Sequence, residues 1–541
     1  MIALATPRTA ALAALLAASM GCADDPAGTA LDAAADGSTT LDASLDVPPA
    51  RDIQRVSVEA GALAQPLVEG LAITSVAFFQ AVKVPVLTGS GPLPVEDRVA
   101  PVVAGRRAAV RVYVAPRAGW VPRTVTAQLF LEGGGERFAL EHTRFVTGAS
   151  VEGTASSVFV LDVPAERVVP GLRVSAQLTV ADGLAMAAGG MSEARMPPDG
   201  TNVDVGVEPD PGPLQVMLVP FRYDTDGSGR LPDTSEGQLD RFRGLLQAMF
   251  PIARVEFTVH APLPWSRPLL QSGNVDFVSM TGELRNLRRA ESAPDAVYYY
   301  GLIEPTERFD QYCRGGCTLG QGFVVLDFEN GARRVAGGLG FSGERAAGTL
   351  AHELGHLHGR LHAPCGATGV DLAYPHPNGT LGTWGWDARR RFFYPAGMFD
   401  FMSYCSPDWI SDYNYGALFQ RSVRVNGLAA QEWRPAGAEA VETPLPRWVA
   451  RWGGGEAAGW VGVPLVSDAP LAGPRRALRW RDAAGRDLGG GEAVVEAFSE
   501  GGVQAVLPVA PQGARTVALG AFAGAEGYEP DPVRLLTLPR P

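Results

Sequence analysis

The sequence predicts a multidomain protein in which one mixed α/β (α+β) unit is flanked by all-β, sandwich-like modules. Three observations point there. The chain has 541 residues, more than one hydrophobic core organises. Two long stretches consist of short apolar or alternating runs broken by turns, the pattern of sandwich strands. Between them, such runs are interleaved with segments of helical period. Charge is low, Gly and Pro are plentiful (65 and 43 residues), and no heptads or internal repeats occur, so a coiled coil or repeat array is excluded.

Residues 1–22 read as an export signal. Arg8 supplies a short positive region, residues 9–20 form an apolar run too short to span a bilayer, and Ser19-Met-Gly-Cys22 follows. A small residue just before a cysteine is the form of a bacterial lipoprotein box, which makes Cys22 the lipidation candidate. Ser19 stands where a larger aliphatic is usual, and cleavage after Ala23 by the ordinary signal peptidase is the alternative. The protein is therefore expected outside the cytoplasm, as an outer-membrane or cell-surface lipoprotein or as a secreted protein. A membrane is met only through that N-terminal lipid. Residues 23–55 form an acidic tether with too few apolar side chains to bury a core. The six aspartates of residues 23–50 (24, 25, 32, 36, 42 and 46) carry half of the net charge of −12, so the rest is only mildly acidic and no nucleic-acid partner is expected.

The N-terminal module, residues 56–205, contains strand-like runs beginning at Ala72, Ala108, Thr124, Ser157 and Leu172. A Pro- and Asp-rich stretch from Pro197 to Pro213 ends it. The α/β unit spans residues 213–430. Strands are expected near Gln215–Phe221, Arg254–Val259, Ala296–Leu302 and Gly322–Asp327, and a helix near Ser235–Met249. A second helix is expected from an N-cap at Ser342 to Gly359. Residues 431–541 return to short strands and predict a smaller β-sandwich-like module.

Chemistry concentrates in that second helix. Residues 352–362 read His-Glu-Leu-Gly-His-Leu-His-Gly-Arg-Leu-His, an HExxHxxGxxH string. His352 and His356 are four apart and project from one helical face, able to hold one ion. Gly359 can end the helix in a left-handed conformation and turn the chain so that His362 becomes a third ligand. Three imidazoles leave one tetrahedral position for water, the catalytic arrangement of zinc and not the closed structural one. Glu353 lies beside the metal as general base. His358 falls on another face and reads as non-ligating, and His376 as a surface or supporting residue.

The long motif resembles that of the metzincin zinc metalloproteases, and the chain around it is most similar to bacterial secreted StcE-type mucin-cleaving proteases. The resemblance covers roughly residues 340–415. It implies a metzincin-like catalytic domain with a methionine turn beneath the metal. Met402, in Asp400-Phe-Met-Ser-Tyr-Cys405, matches that methionine. Tyr404 matches the tyrosine that some members place near zinc as an oxyanion donor, with a core tyrosine as the alternative. No motif of comparable specificity lies elsewhere in the chain.

With Cys22 set aside, four cysteines remain in an exported protein, and pairing is the default. Of the three connectivities, Cys313 with Cys317 and Cys365 with Cys405 is preferred. The second bridge would tie the third histidine to the methionine turn. Asp224-Thr-Asp-Gly-Ser-Gly-Arg-Leu resembles the start of a calcium loop, but its twelfth position is Ser235 where a bidentate Glu is required, and a Gly-rich turn is the competing reading. Aromatic residues are dense from Trp384 to Tyr415, and packing of a small subdomain is preferred to stacking on sugars.

The expected function is that of a monomeric, exported zinc endopeptidase acting on extracellular proteins or glycoproteins. The alternative is a surface adhesin or glycan-binding lipoprotein whose zinc site is structural or vestigial. The intact Glu353 speaks against it, because a structural site needs no base.

Overall fold

The computed structural model describes residues 55–56, 66–180, 192–327, 331–427, 446–453, 456–464, 475–499, 502–508, 510–519 and 534–537. The expected export signal with Cys22 and nearly all of the expected tether lie outside the described residues. No helix among those described is long and apolar enough to cross a membrane.

The N-terminal module is built from two six-stranded sheets. In the first, Arg123–Gly133 pairs antiparallel with Glu136–Val146 and with Arg173–Thr179. The hairpin turns at Gly134 and Gly135, both at positive φ (61° and 80°), as a two-residue primed turn demands. In the second sheet the strand Leu71–Thr88 pairs with Ala108–Pro116, which pairs in turn with Phe159–Val163. Val76, Phe78, Val110, Val112, Phe159 and Leu161 are buried in its core. This sheet does not end with the N-terminal segment. Gly385–Asp387 and Phe392–Tyr394 extend it, Gly385 opposite Val82 and Trp386 opposite Ala81.

The central unit is a parallel sheet with one reversed edge. Five of its six strands, numbered within this unit, are β1 Leu214–Tyr223, β2 Val255–Val259, β3 Val297–Ile303, β4 Gly320–Gly322 and β5 Val335–Leu339, in the order β2-β1-β3-β5-β4, and the short sixth, Leu263–Trp265, pairs parallel with the end of β1. Only β4, at the edge, runs antiparallel to its neighbour. All seven residues of β3 are buried, as expected for a strand covered on both faces. Helices α1 (Glu236–Met249), α2 (Phe277–Ala290) and α3 (Glu344–Leu357) follow in chain order. Helix α2 lies so close to the sheet that a Cβ on Gly301 or Gly337 would fall 2.7 or 2.4 Å from the Met280 sulfur.

Three local expectations are corrected. The strand expected at Gly322–Asp327 ends at Gly322, because the next residues leave the sheet to cover the end of α3. There the Val325 N–H donates to the His356 carbonyl (3.0 Å), and Arg421 donates to the Val325 and Leu326 carbonyls. The residue capping α3 is Gly343, at φ 120°, while the Ser342 hydroxyl donates to Asp233. Helix α2 was not anticipated, although its Asp276 N-cap, accepting from Ser279 N, and Arg288 and Arg289 in its last turn are ordinary helix signals.

The C-terminal module is a seven-stranded antiparallel sheet around a core that includes Leu478, Trp480, Val495, Leu507 and Val517. Two of its neighbouring strands matter below: β6, Asp487–Ala497, and β7, Gly502–Val506.

Arg106 joins the first module to the second. It is 6% exposed and donates to the carbonyls of Gln247, Phe250 and Ile252, at and just beyond the C-terminus of α1. Carbonyls at a helix end lack partners within the helix, and a buried guanidinium supplies them. Arg106→Ala is expected to lower stability by about 3 kcal/mol. Urea unfolding followed by tryptophan fluorescence measures this, and an unchanged midpoint would show that the clamp contributes nothing.

Candidate metal centre

Helix α3 carries two faces. Ala346, Ala347, Leu350, Ala351, Leu354 and Leu357 are buried in the core, while His352 and the equally buried His356 project together from another face, one turn apart. The helix stops at His358, and Gly359 follows at φ 83°. A Cβ there would lie 2.3 Å from the Arg421 guanidinium and 2.9 Å from the Val325 carbonyl oxygen, so space and backbone conformation both require glycine. The turn brings His362 back, and the ligand atoms of His352, His356 and His362 lie within 4.8 Å of one another.

The orientation of each ring follows from its outer nitrogen. His352 Nδ1 lies 2.8 Å from the Phe401 carbonyl oxygen, His356 Nδ1 2.7 Å from that of Arg360, and His362 Nδ1 2.7 Å from that of Thr368. A carbonyl only accepts, so each Nδ1 carries the hydrogen and each Nε2 presents a lone pair. These lone pairs converge, with Nε2 of His356 3.1 Å from that of His352 and 3.2 Å from that of His362. Burial, and then the repulsion of a second imidazolium, lowers the His352 pKa to about 3 and holds His356 well below its ordinary value. Burial lowers His362 as well. Three neutral imidazoles aimed at one point suit zinc, and the described residues add no fourth His, Cys, Asp or Glu to the group.

Beneath the helix, Met402 is fully buried. A Cβ on Gly355 would fall 2.4 Å from its sulfur, so the motif glycine makes room for the methionine. The turn is organised by Asp400, whose buried carboxylate accepts from Met402 N (2.8 Å), Ser411 N (2.9 Å) and the Asn414 amide (2.7 Å). Burial raises the Asp400 pKa against the pull of these donors. The Ala363 N–H donates to the Met402 carbonyl, and the Tyr404 N–H to the Cys365 carbonyl. Cys365 and Cys405 are disulfide-bonded across the same junction, with Cα atoms 5.8 Å apart, and Cys313–Cys317 forms the second bridge at 5.2 Å. Tyr404 is 47% exposed, its ring centroid 4.9 Å from that of His362. A cleft of about 380 Å³ opens beside the triad, lined in part by Gly320, Thr349, Glu353, Arg389, Tyr404 and Trp409.

The Peptidase M66 family model matches residues 326–411. This M66-like segment holds the whole histidine string, the methionine turn and the Cys365–Cys405 bridge, and the match supports a peptidase. No curated protein matches the chain.

The remaining sequence-level readings also find their places. His358 is buried, stacks on Tyr298 at 4.7 Å and has Nδ1 2.7 Å from the Leu354 carbonyl oxygen, away from the triad. His376 is half-buried and meets Asp412 at 2.7 Å. The Asp224 segment is a turn closed by the Tyr223–Arg230 bridge, in which Asp224 pairs with Arg222 and Asp226 with Arg230. Of the dense aromatics, Trp386, Phe393, Phe401, Trp409 and Tyr415 are buried, with Tyr394 stacked on Trp409 at 4.7 Å. Asp400 escaped the sequence reading because a lone aspartate near a turn carries no distinguishing signal.

Asp400→Ala should loosen the turn that supplies the Phe401 carbonyl and lower zinc affinity about 10–100-fold. His358→Phe should still bind one zinc per chain. Competition with a fluorescent chelator and elemental analysis read the two results. Wild-type affinity in the first variant, or loss of zinc in the second, would contradict these assignments.

Proposed function

We propose that the protein is an exported zinc endopeptidase of metzincin type, hydrolysing extracellular proteins or glycoproteins. The observation that carries this reading is the convergence of three Nε2 lone pairs at a cleft that His352 and the buried carboxylate of Glu353 both line. Zinc, held by His352, His356 and His362, would polarise the scissile carbonyl and acidify the attacking water. Glu353 accepts the proton of that water and delivers it to the leaving amine. Tyr404 stands at the cleft with its ring beside His362, where its hydroxyl can donate to the developing oxyanion. Met402 forms the floor beneath α3.

Export is supported by the signal-like first 22 residues and by two disulfides, which persist in oxidising compartments. The same segment supports a lipid anchor on Cys22.

Glu353→Gln should lower peptide hydrolysis by about 10²–10⁴-fold with zinc still bound. Assays on casein and on mucin, with elemental analysis alongside, test this and separate a general protease from a glycoprotein-directed one. Full activity of that variant sinks the mechanism, and binding of mucin without cleavage by zinc-loaded wild type would favour the adhesin. Cys22→Ser should abolish metabolic labelling with palmitate, and unaltered labelling would exclude that anchor.

A further inference from the structure

The C-terminal module reaches the base. Where β6 ends and turns towards β7, Phe498 and Ser499 leave their own sheet and pair with the outer edge of β4. Phe498 forms an antiparallel bridge with Phe323, and their rings stack at 5.0 Å. The Ser499 N–H donates to the Gly322 carbonyl (3.2 Å), and the Gly322 N–H donates back to the Ser499 hydroxyl oxygen (3.3 Å). That hydroxyl in turn donates to Glu353 Oε2 at 3.4 Å. Ser499 is 2% exposed and so is Glu353, so this contact is made inside the protein and not across solvent.

Two further features hold the segment in place. Glu496, buried, is paired with Arg285 of α2 (3.1 Å) and Arg333 (3.2 Å) and accepts from the Gln504 amide. Where β4 comes against Glu353 it carries glycine. A Cβ on Gly320 would lie 3.0 Å from Glu353 Cγ, and one on Gly322 3.2 Å from Glu353 Oε2. The carboxylate thus lies against the edge strand and within reach of a hydroxyl brought from 146 residues away.

We propose that the C-terminal β module completes the active site, with Ser499 as a positioning residue that orients the Glu353 carboxylate. The proposal rests on Glu353 being the general base. A carboxylate that must take a proton from a water in one position gains from a fixed rotamer, and a hydrogen bond to one oxygen supplies that. The hydroxyl is itself held by the Gly322 N–H, so it is directed at Glu353 and not free to rotate. The module is accordingly a part of the peptidase machinery and not a separable appendage.

The test uses the full-length, zinc-loaded chain and a quenched peptide that the wild type cleaves. Thr and Val have nearly the same shape and differ in the hydroxyl, so Ser499→Thr and Ser499→Val share any packing damage. The Thr variant should keep kcat within about 2-fold of wild type, and the Val variant should lose about 10-fold in kcat at unchanged KM and zinc content. Equal kcat in the two variants overturns the proposal, as does a loss confined to KM or to zinc. Glu353→Gln, assayed in parallel, separates the two ideas. If it is active the general-base reading fails and this one with it. If it is inactive while the Thr and Val variants match, only the role of Ser499 falls.

Discussion

Three imidazole lone pairs pointing at one spot is an arrangement that a folded chain must hold against its own preferences. Neutral histidines do not gather their acceptor atoms about 3 Å apart without support, and here the support is three backbone carbonyls. Those of Phe401, Arg360 and Thr368 each hold one Nδ1 hydrogen, and they come from three different segments. Much of the central architecture serves to bring these carbonyls together. The left-handed turn at Gly359 places the Arg360 carbonyl and returns His362. Asp400 fixes the turn that supplies Phe401, and the Cys365–Cys405 bridge keeps the third-histidine loop against that turn.

The modules are less separate than their order along the chain suggests. Strands from residues 385–394 extend a sheet of the N-terminal module, and Trp409 Nε1 donates to the Ala81 carbonyl at 2.9 Å. The segment between third histidine and methionine turn therefore leans on a β-sandwich rather than forming a free-standing lobe. At the other end, the C-terminal module covers part of the exposed edge of β4 and touches Glu353. An uncovered edge strand is a site of unwanted pairing, and covering it with an intramolecular partner removes that hazard while bringing a polar group to the site.

How much of this was legible in the sequence differs from residue to residue. Local periodicity placed α1 and β1 to β3 within a few residues, because each is a run whose own pattern matches its element. The segment after Gly322 failed for a reason that is not local. Val324, Val325 and Leu326 have strand-like composition, but the carbonyl of His356 and the guanidinium of Arg421 recruit their backbone to the end of α3. Helix α2 was hidden by Ser279, Thr281 and Gly282 of its first turns, and it packs on the sheet through Met280, for whose sulfur Gly301 and Gly337 leave the space.

By itself the sequence determined the histidine spacing, the acid beside the first histidine, the glycine where the helix must turn, and the cysteines that stand three past His362 and three past Met402. These are short-range relations, and helix geometry with ring chemistry is enough to interpret them. Only the tertiary structure decided which carbonyls orient the imidazoles, that Asp400 holds the turn at Met402, and that Ser499 lies against Glu353. The His352–Phe401 and Glu353–Ser499 contacts join residues 49 and 146 positions apart, and those of Arg360, Thr368 and Asp400, though closer along the chain, depend on loop paths that no periodicity records. The histidine string is written locally, and the groups that aim it are supplied by the fold.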